Sequence, residues 1–324
     1  MTEPVLDVHL TPEDAALALR AEALAGLTAP AKWVSPKWFY DAVGSDLFED
    51  ITRLPEYYPT RAEREILEAR STEIATVTGA RALVELGSGS SEKTRLLLDA
   101  LRAHGTLAEF VPLDVSSSAL VDAARSILES YPGLRVHGVV GDFTEHLGLL
   151  PGASPRLVAF LGGTIGNLVP DERAKFLTSL RDVLAPGEWL LLGTDLVKDP
   201  DVLVRAYDDA QGVTAEFNRN VLHVINRELD ADFDTSAFRH VALWNPDAEW
   251  IEMRLRAAHP TRAHVGALGI DVEFARDEDL RTEVSAKFRR DGVARELASA
   301  GFTLHSWWTD TQSRFALSLS QATP

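Results

Sequence analysis

Short apolar stretches alternate with amphipathic helical patterns through the middle of the chain. Five of the apolar stretches predict strands, which we place at residues 82–86, 110–113, 135–140, 157–161 and 189–194. The intervening segments predict helices, at residues 63–69, 92–102, 118–129 and 171–184. Buried strands that alternate with helices form a parallel sheet covered on both faces. The pattern therefore predicts a doubly wound α/β core.

The pattern differs on both sides of this core. A helix is predicted from Thr11 to Leu24, because Thr11-Pro12-Glu13-Asp14 combines an N-cap with proline and acids in the first turn. Two loops follow at 36–40 and 54–61, in which prolines frame aromatic residues. Proline fixes φ and removes a donor, so these loops are predicted to be rigid walls of a pocket.

The C-terminal part of the chain predicts an inserted α+β unit and then a return to the sheet. Helical residues 201–229 precede strand-like segments, which lie at 238–244, 250–257, 264–266 and 271–274. A helix over 292–300 and two strands over 302–309 and 315–321 predict a terminal hairpin. We therefore predict two interleaved domains: a core of 62–196 with 287–324, and a substrate-binding α+β domain of 1–61 with 197–286.

Composition narrows the classes of function. The 324 residues are 45% apolar and 25% charged, as in a soluble globular protein. Lys and Arg number 32 against 49 Asp and Glu, a net charge of −17 that disfavours a nucleic-acid partner. The absence of Cys excludes disulfides, thiolate nucleophiles and Cys-based zinc sites, and no metal is needed. With neither a signal peptide nor a membrane-length apolar run, we expect a cytoplasmic monomer with no membrane partner.

The first predicted strand ends in a glycine turn, V-E-L-G-S-G at residues 84–89. Small residues here let a ligand approach the backbone. A dinucleotide fingerprint needs glycine where this chain has Glu92, and an acid would repel a diphosphate. S-adenosylmethionine (SAM) fits better: Glu85 suits its ammonium, Gly87 an open backbone contact and Lys93 its carboxylate. The alternative is a structural tight turn without a ligand.

Acidic residues follow the next two strands. Asp114 ends the second strand, where a carboxylate can accept both ribose hydroxyls. Asp142 and Phe143 end the third strand. There Asp142 can accept a hydrogen bond from the adenine amino group and Phe143 can cover the adenine ring. Each Asp alone is commonly a helix cap or a solvated group. Because ligands of open α/β sheets bind at the carboxyl ends of the strands, the series favours a SAM site.

The last two strands of the core also end in polar or small residues. Gly162-Gly163-Thr164-Ile165-Gly166-Asn167 forms another small-residue loop, in which Asn167 has a donor and an acceptor for a substrate. The alternative for this loop is a glycine-rich turn. Asp195 ends the fifth strand, and for it a structural role is at least as well supported as substrate contact.

Several segments outside the glycine turn carry a resemblance to one family. They read PKWFYD (36–41), LPEYYPTR (54–61), ELGSG (85–89), YDDA (207–210), AEFNRN (215–220), TEVSAKF (282–288) and WWTD (307–310). Over nearly its whole length the chain resembles the histidine Nα-methyltransferases of ergothioneine biosynthesis. The resemblance implies a Rossmann-like SAM-methyltransferase sheet with a terminal antiparallel hairpin. It also implies three successive methyl transfers to the α-amino group of L-histidine, giving hercynine.

The same resemblance implies a substrate site. Tyr57, Asn167 and Tyr207 would hold the backbone end of the amino acid, and Glu283 and Ser285 would hold the imidazole. In a strand Glu283, Ser285 and Lys287 project to one face, and a carboxylate beside a hydroxyl suits two ring nitrogens. The alternative is a solvated strand face with a Glu–Lys pair. Met253 is predicted to pack on the imidazole, or else to be ordinary core.

Tyr40 and Tyr57 are the predicted catalytic residues. The nucleophile is an amine whose ordinary pKa is about 8, so positioning is expected to matter more than a strong base. Aromatic rings would favour the cationic methylated intermediates through cation–π attraction. The alternative is that both rings are core tyrosines with hydrogen-bonded hydroxyls.

Other functions remain open from the sequence. The nearest alternative is a SAM-dependent methyltransferase for another amino acid or for a protein side chain. A SAM-binding sensor would need no amino-acid site, and an NAD-dependent dehydrogenase is disfavoured by Glu92 and by the Asp142-Phe143 pair.

Overall fold

A computed structural model describes residues 4–89 and 91–324 of the chain. The strands in this part are β1 (Val5–Val8), β2 (Ala82–Leu86), β3 (Glu109–Asp114), β4 (Arg135–Val140), β5 (Arg156–Phe160), β6 (Trp189–Asp195), β7 (Phe238–Asn245), β8 (Trp250–Ala257), β9 (Thr261–Val265), β10 (Ile270–Phe274), β11 (Asp279–Ala286), β12 (Phe302–Thr309) and β13 (Phe315–Ala322). The α-helices are α1 (Pro12–Leu27), α2 (Ala42–Arg53), α3 (Pro59–Thr78), α4 (Thr94–His104), α5 (Ser117–Ser130), α6 (Pro170–Val183), α7 (Pro200–Tyr207), α8 (Val213–Glu228) and α9 (Arg290–Ser299).

The chain divides into two compact units that exchange segments. The first unit comprises Met1–Leu10, Pro59–Val197 and Phe288–Pro324, and the second comprises Thr11–Tyr58 and Lys198–Lys287. The predicted boundaries assigned all of residues 1–61 to the substrate-binding domain. The structure instead puts β1 in the first unit, because β1 pairs in parallel with β4 at the edge of its sheet.

The sheet of the first unit is mostly parallel. Its strand order is β1-β4-β3-β2-β5-β6-β13-β12, and the final two strands are antiparallel. The predicted α/β class with a terminal hairpin is therefore confirmed. Strand order reverses between β2 and β5, and in open α/β sheets ligands bind beyond the carboxyl ends of the strands at such a switch point. The glycine turn after β2 lies there.

Helices α3, α4 and α5 contribute to the apolar core of the first unit. On α4, Leu97, Leu98 and Leu101 are fully buried because they share one face of the helix. The helix ends at Gly105, whose φ of 85° is the left-handed conformation typical of a glycine C-cap. This packing fixes the helix that begins beyond the glycine turn.

The second unit is an α+β assembly with its own core. A three-stranded antiparallel sheet has the order β11-β8-β7, and β9 pairs with β10. Phe217, Leu222 and Ile225 of α8 are buried in the same cluster as Leu255 of β8. Residues 201–229, predicted to be helical throughout, form α7 and α8 with a break at Gly212, where φ is 77°.

The second unit also contains a helix that the sequence pattern missed. Residues 42–53, between the two predicted loops, were assigned no element, yet they form α2, which begins at an Asp41 cap. Thr11 is the N-cap of α1, as predicted, and it forms a reciprocal capping box with Asp14. Among the described residues no helix is both long and apolar enough to cross a membrane.

Candidate functional site

The glycine turn after β2 is tied to the end of β3. Gly87 and Gly89 have φ values of 69° and 47°, the left-handed region that glycine adopts without strain. The Gly89 N–H donates to Asp114 Oδ2 at 3.0 Å, and the Ser116 N–H donates to Asp114 Oδ1 at 2.9 Å. A Cβ built at either glycine meets no atom within 4 Å, so open space borders the turn. That space fits a bound cofactor.

Glu85 lies beneath this turn and is 5% exposed. The Ser91 hydroxyl donates to Glu85 Oε2 at 2.8 Å, and the Thr94 hydroxyl donates to Oε1. Burial raises the pKa of the Glu85 carboxyl to about 7, against the opposing effects of both hydroxyls and the Lys93 charge. Glu85 therefore braces the turn in addition to its predicted contact with the SAM ammonium.

Lys93 has a partner that sequence reasoning missed. Its ammonium forms an ion pair with Glu63 of α3, whose side chain is fully buried. Both carboxylate oxygens of Glu63 also accept the Gly162 N–H, at 2.8 and 3.0 Å. Glu63 thus joins α3 to the turn after β2 and to the loop after β5. A carboxylate of SAM would share Lys93 with Glu63.

Asp142 and Phe143 follow β4 in a local turn. Asp142 Oδ1 accepts the Thr144 N–H at 2.8 Å and the Thr144 hydroxyl at 2.6 Å, so the carboxylate has a structural role as well. The Phe143 ring is half-buried and packs edge-on against Phe160 and Phe176, with centroids 5.0 and 5.7 Å away. Contact of either side chain with adenine stays a prediction.

The loop after β5 turns through Gly162 and Gly163, with φ values of 75° and 71°. A single turn of 3₁₀ helix, Thr164–Asn167, follows and places Asn167 in the first unit. The Asp195 side chain is buried, and its carbonyl oxygen accepts the Phe288 N–H at 2.8 Å. This bond involves only the backbone, so the role of the Asp195 carboxylate stays a prediction.

A chain of aromatic contacts in the second unit joins three predicted site residues. Phe48 of α2 packs edge-on against Tyr40 and Tyr57, with ring centroids 5.6 and 6.2 Å apart. Tyr57 packs against Tyr207 at 6.3 Å. Tyr40 is 40% exposed whereas Tyr57 is 8% exposed, so only Tyr40 presents much of its ring to solvent. Phe48 went unrecognised because no element was predicted over α2.

Tyr207 also reaches β11. Its hydroxyl lies 2.7 Å from Ser285 Oγ, and Lys287 Nζ lies 2.9 Å from each oxygen. Because Ser285 and Lys287 are buried, the alternative of a solvated strand face is wrong. Glu283, two residues before Ser285, is half-buried and pairs across the sheet with Met253, which is buried in the core.

A buried polar network supports these residues. The strand register shifts between Arg281 and Glu283, where Thr282 donates to Asn218 Oδ1 at 2.6 Å and to the Met253 carbonyl at 3.0 Å. Asn218 Nδ2 lies 2.8 Å from His240 Nδ1, and His240 Nε2 lies 2.8 Å from the Tyr207 carbonyl. Burial lowers the pKa of His240, so the neutral ring donates from Nε2 to that carbonyl.

Comparison with known proteins decides the family. A model of the histidine-specific, SAM-dependent methyltransferases matches residues 19–322. The chain belongs to this family. It is 59% identical over 312 residues to histidine N-alpha-methyltransferase of Mycolicibacterium smegmatis and 58% identical over 312 residues to that of Mycobacterium tuberculosis, covering 96% of this chain and 97% of each relative. Ergothioneine biosynthesis protein 1 of Neurospora crassa is 32% identical over 277 residues, which are 83% of this chain and 31% of that protein.

Family membership confirms three predictions. The chain is an enzyme, it uses SAM, and it belongs to methyltransferases specific for histidine, a small-molecule substrate. The SAM-binding sensor and the NAD-dependent dehydrogenase are thereby excluded. The roles of individual residues stay predictions, to which the contacts above give a physical basis.

Proposed function

We propose that this enzyme transfers three methyl groups, one after another, from SAM to the α-amino group of L-histidine, producing hercynine for ergothioneine biosynthesis. The names of the relatives support the amino group as acceptor and the pathway. The observation that carries the substrate assignment is the connected set Tyr57, Tyr207, Ser285, Glu283 and Met253 in the second unit.

The first unit would hold the cofactor. SAM supplies a methyl group activated on its sulfonium. Glu85 would face its ammonium and Lys93 its carboxylate, while the backbone at Gly87 allows close approach. Asp114 has already accepted one backbone N–H on each oxygen and retains lone pairs for the ribose hydroxyls. Asp142 and Phe143 would bind and cover the adenine.

The substrate residues would hold histidine at both ends. Tyr57, Asn167 and Tyr207 would contact the amino-acid backbone, and Glu283 and Ser285 the imidazole nitrogens, with Met253 packing on the ring. An amine with an ordinary pKa of about 8 loses its proton readily near neutral pH. The protein then has to align the free amine with the methyl group, which is catalysis by positioning.

Tyr40 and Tyr57 would serve the later methyl transfers. Dimethylated histidine is a bulkier and more apolar cation, and aromatic faces attract such cations by about 0.5–2 kcal/mol each. Tyr40 and Tyr57 both contact Phe48, so their rings are oriented by a common neighbour. Retention of intermediates would favour completion of all three transfers.

Mass spectrometry tests the proposal directly. The enzyme is incubated with SAM and each common amino acid, and products are separated by one, two or three added methyl groups. We expect only histidine to gain three groups, and expect α-N-blocked histidine to gain none. Absence of any gain on histidine would refute the proposal. Faster methylation of another amino acid, or of histidine side chains in a protein, would support the alternative substrates.

A further inference from the structure

Lys287, the residue after β11, is a lysine that the predicted roles do not use. It is 4% exposed, and its ammonium donates to the Tyr207 and Ser285 hydroxyls at 2.9 Å each. The ammonium also lies 4.6 Å from the centroid of the Tyr207 ring. Lysine is rarely buried without partners, because an ammonium is costly to remove from water. This charge lies against two residues assigned to opposite ends of the substrate.

The hydrogens of this triangle are constrained. An ammonium only donates, so both hydroxyl oxygens accept from Lys287. The two oxygens are 2.7 Å apart, so one hydroxyl donates to the other. A phenol is more acidic than an aliphatic alcohol, and the ammonium lies equally close to both oxygens, so we infer that Tyr207 donates to Ser285. The Ser285 hydrogen then points away from the triangle.

We propose that Lys287 is a positioning residue that makes Ser285 a hydrogen-bond donor towards the histidine ring, so that the site takes the ring as neutral imidazole. The inference rests on the proposed function, in which Ser285 and Glu283 bind the ring. Neutral imidazole has one bare nitrogen and one N–H. Ser285 donates to the bare nitrogen, and the Glu283 carboxylate accepts from the N–H.

The role of Lys287 can be stated by comparison with a site that lacks its ammonium. Without the ammonium, the Ser285 oxygen has a lone pair available and its hydrogen can turn towards Tyr207. Ser285 would then accept as readily as it donates, and the site would lose its demand for a ring nitrogen that accepts. Specificity of this kind arises when a buried polar group is left unpaired by the wrong ligand.

Lys287→Met is the first test, because it removes the donors and keeps the length of the side chain. With histidine we expect KM to rise about 3- to 10-fold, because the hydrogen bond that is weakened joins two neutral groups, the Ser285 hydroxyl and the bare ring nitrogen. We expect kcat to change much less and SAM affinity to stay constant. Lys287→Gln keeps an N–H donor, so its KM for histidine should lie between those of wild type and Lys287→Met. If Lys287→Met does not fold, Lys287→Gln serves as the test.

The chain offers a matched control in Lys198. Its ammonium donates to the Tyr58 hydroxyl at 2.7 Å and lies 4.6 Å from the Tyr58 ring centroid, the same chemistry at a tyrosine without a predicted substrate role. Lys198→Met should leave KM for histidine within about threefold of wild type. An equal rise in KM in both variants would indicate general destabilisation and overturn the inference.

Histidine analogues with altered rings measure the preference of the site for a ring nitrogen. A purely structural role of Lys287 would leave this preference unchanged. Thiazol-4-ylalanine carries a bare nitrogen next to the attachment carbon and thiazol-5-ylalanine carries one an atom further away, whereas thienylalanine carries none. As competitive inhibitors of wild type, the better thiazolyl isomer should bind about tenfold more tightly than thienylalanine. Ser285→Ala should abolish that preference, Lys287→Met should weaken it, and the double variant should match Ser285→Ala.

The proposed function and the role of Lys287 can be refuted separately. If wild type does not methylate histidine, the proposed function fails and this inference falls with it. If wild type trimethylates histidine but Lys287→Met and Lys287→Gln keep KM and the preference for a ring nitrogen, only the role of Lys287 is overturned.

Discussion

The carboxyl group of Glu85, beneath the glycine turn, is expected to make the stability of the folded chain depend on pH. Its pKa is raised from 4.5 to about 7 in the folded chain, mainly by burial. The folded state therefore holds this proton more tightly than the unfolded state. The resulting stabilisation is complete below pH 4.5 and is lost as pH rises through 7. A cationic ligand would favour the ionised form.

Glu85→Gln is expected to remove this dependence. Between pH 4.5 and 8 the free energy of unfolding of wild type should fall, relative to the variant, by on the order of 3 kcal/mol. Chemical denaturation at several pH values measures the free energy of unfolding of both proteins. The contributions of other titrating groups cancel when the value for the variant is subtracted from that for wild type. Parallel curves for the two proteins would show that the pKa of Glu85 is not raised.

The ion pair of Glu63 and Lys93 is expected to contribute to the stability of the protein, because removing one charge leaves the other without its partner. Glu63→Gln should lower the free energy of unfolding by about 3 kcal/mol, the low end for breaking a buried ion pair, because the Lys93 side chain is still 20% exposed. Denaturant titration provides the measurement. Adding Lys93→Met to Glu63→Gln should cost less than the sum of the single changes.

An exposed ion pair serves as the control for Glu63. Arg53 and Asp50 of α2 pair at 2.7 Å, but their side chains are 66% and 58% exposed. Asp50→Asn should therefore change stability by no more than about 1 kcal/mol. Equal losses for Glu63→Gln and Asp50→Asn would contradict the importance given to burial.

At the scale of elements, the start of α2 depends on close backbone approach. A Cβ built at Gly44 would overlap the Phe39 carbonyl oxygen and lie 3.0 Å from Asn220 Nδ2. Gly44→Ala should therefore displace the segment that carries Tyr40 and destabilise the protein by about 1–3 kcal/mol. We expect the thermal unfolding temperature to fall and KM for histidine to rise, and both are measured.

Gly292 of α9 is the matched helical glycine for this test. A Cβ built there meets no atom within 4 Å. Gly292→Ala should stabilise the protein by up to about 1 kcal/mol, since alanine has the higher helix propensity. If Gly44→Ala behaved in the same way, the contact with Phe39 would not restrict this position.

Elements with strong local patterns were the ones the sequence could predict. The buried strands β2 and β6 begin with apolar runs, at residues 82–84 and 189–192, which is why the residues towards their carboxyl ends could be proposed as site residues. Strand β1 is four residues long and is defined by its pairing with β4, a contact no local pattern contains. Helix α2 follows prolines and aromatics that resemble a loop.

Parts of the site were also beyond local patterns, for the same physical reason. Glu63 and Lys93 are 30 residues apart, so their pairing depends on how α3 packs beside the glycine turn. The bulge at Thr282 depends on the register of β11 against β8. Lys287 was recognised as sharing a face with Ser285, but only the fold shows that Tyr207 completes the contact.

At the scale of the whole molecule, the predicted cofactor residues belong to one unit although the chain leaves that unit and returns. Glu85, Lys93, Asp114 and Asp142 all lie between Pro59 and Val197. The first unit also has its own apolar core, which includes Leu98, Phe110 and Leu317. Cofactor binding is therefore expected to need only the first unit, whereas the predicted substrate residues Tyr57, Tyr207, Glu283 and Ser285 belong to the second.

The first unit without its edge strand β1, residues 59–197 and 288–324, tests this expectation. The Val197 N–H donates to the Phe288 carbonyl at 3.0 Å, so a short Gly/Ser linker can join residues 59–197 to 288–324 without strain. We expect this protein to unfold cooperatively and to bind SAM within about tenfold of the full-chain affinity, with no detectable binding of histidine. Calorimetry with each ligand measures both properties.

The matched fragment 59–197 should fail to fold, because seven residues of β6, Trp189 to Asp195, would lose their pairing with β13. A buried strand with an unpaired apolar edge aggregates. If the joined protein folds but does not bind SAM, the cofactor site requires the second unit, and the assignment of Glu85, Lys93, Asp114 and Asp142 as a self-sufficient site is wrong.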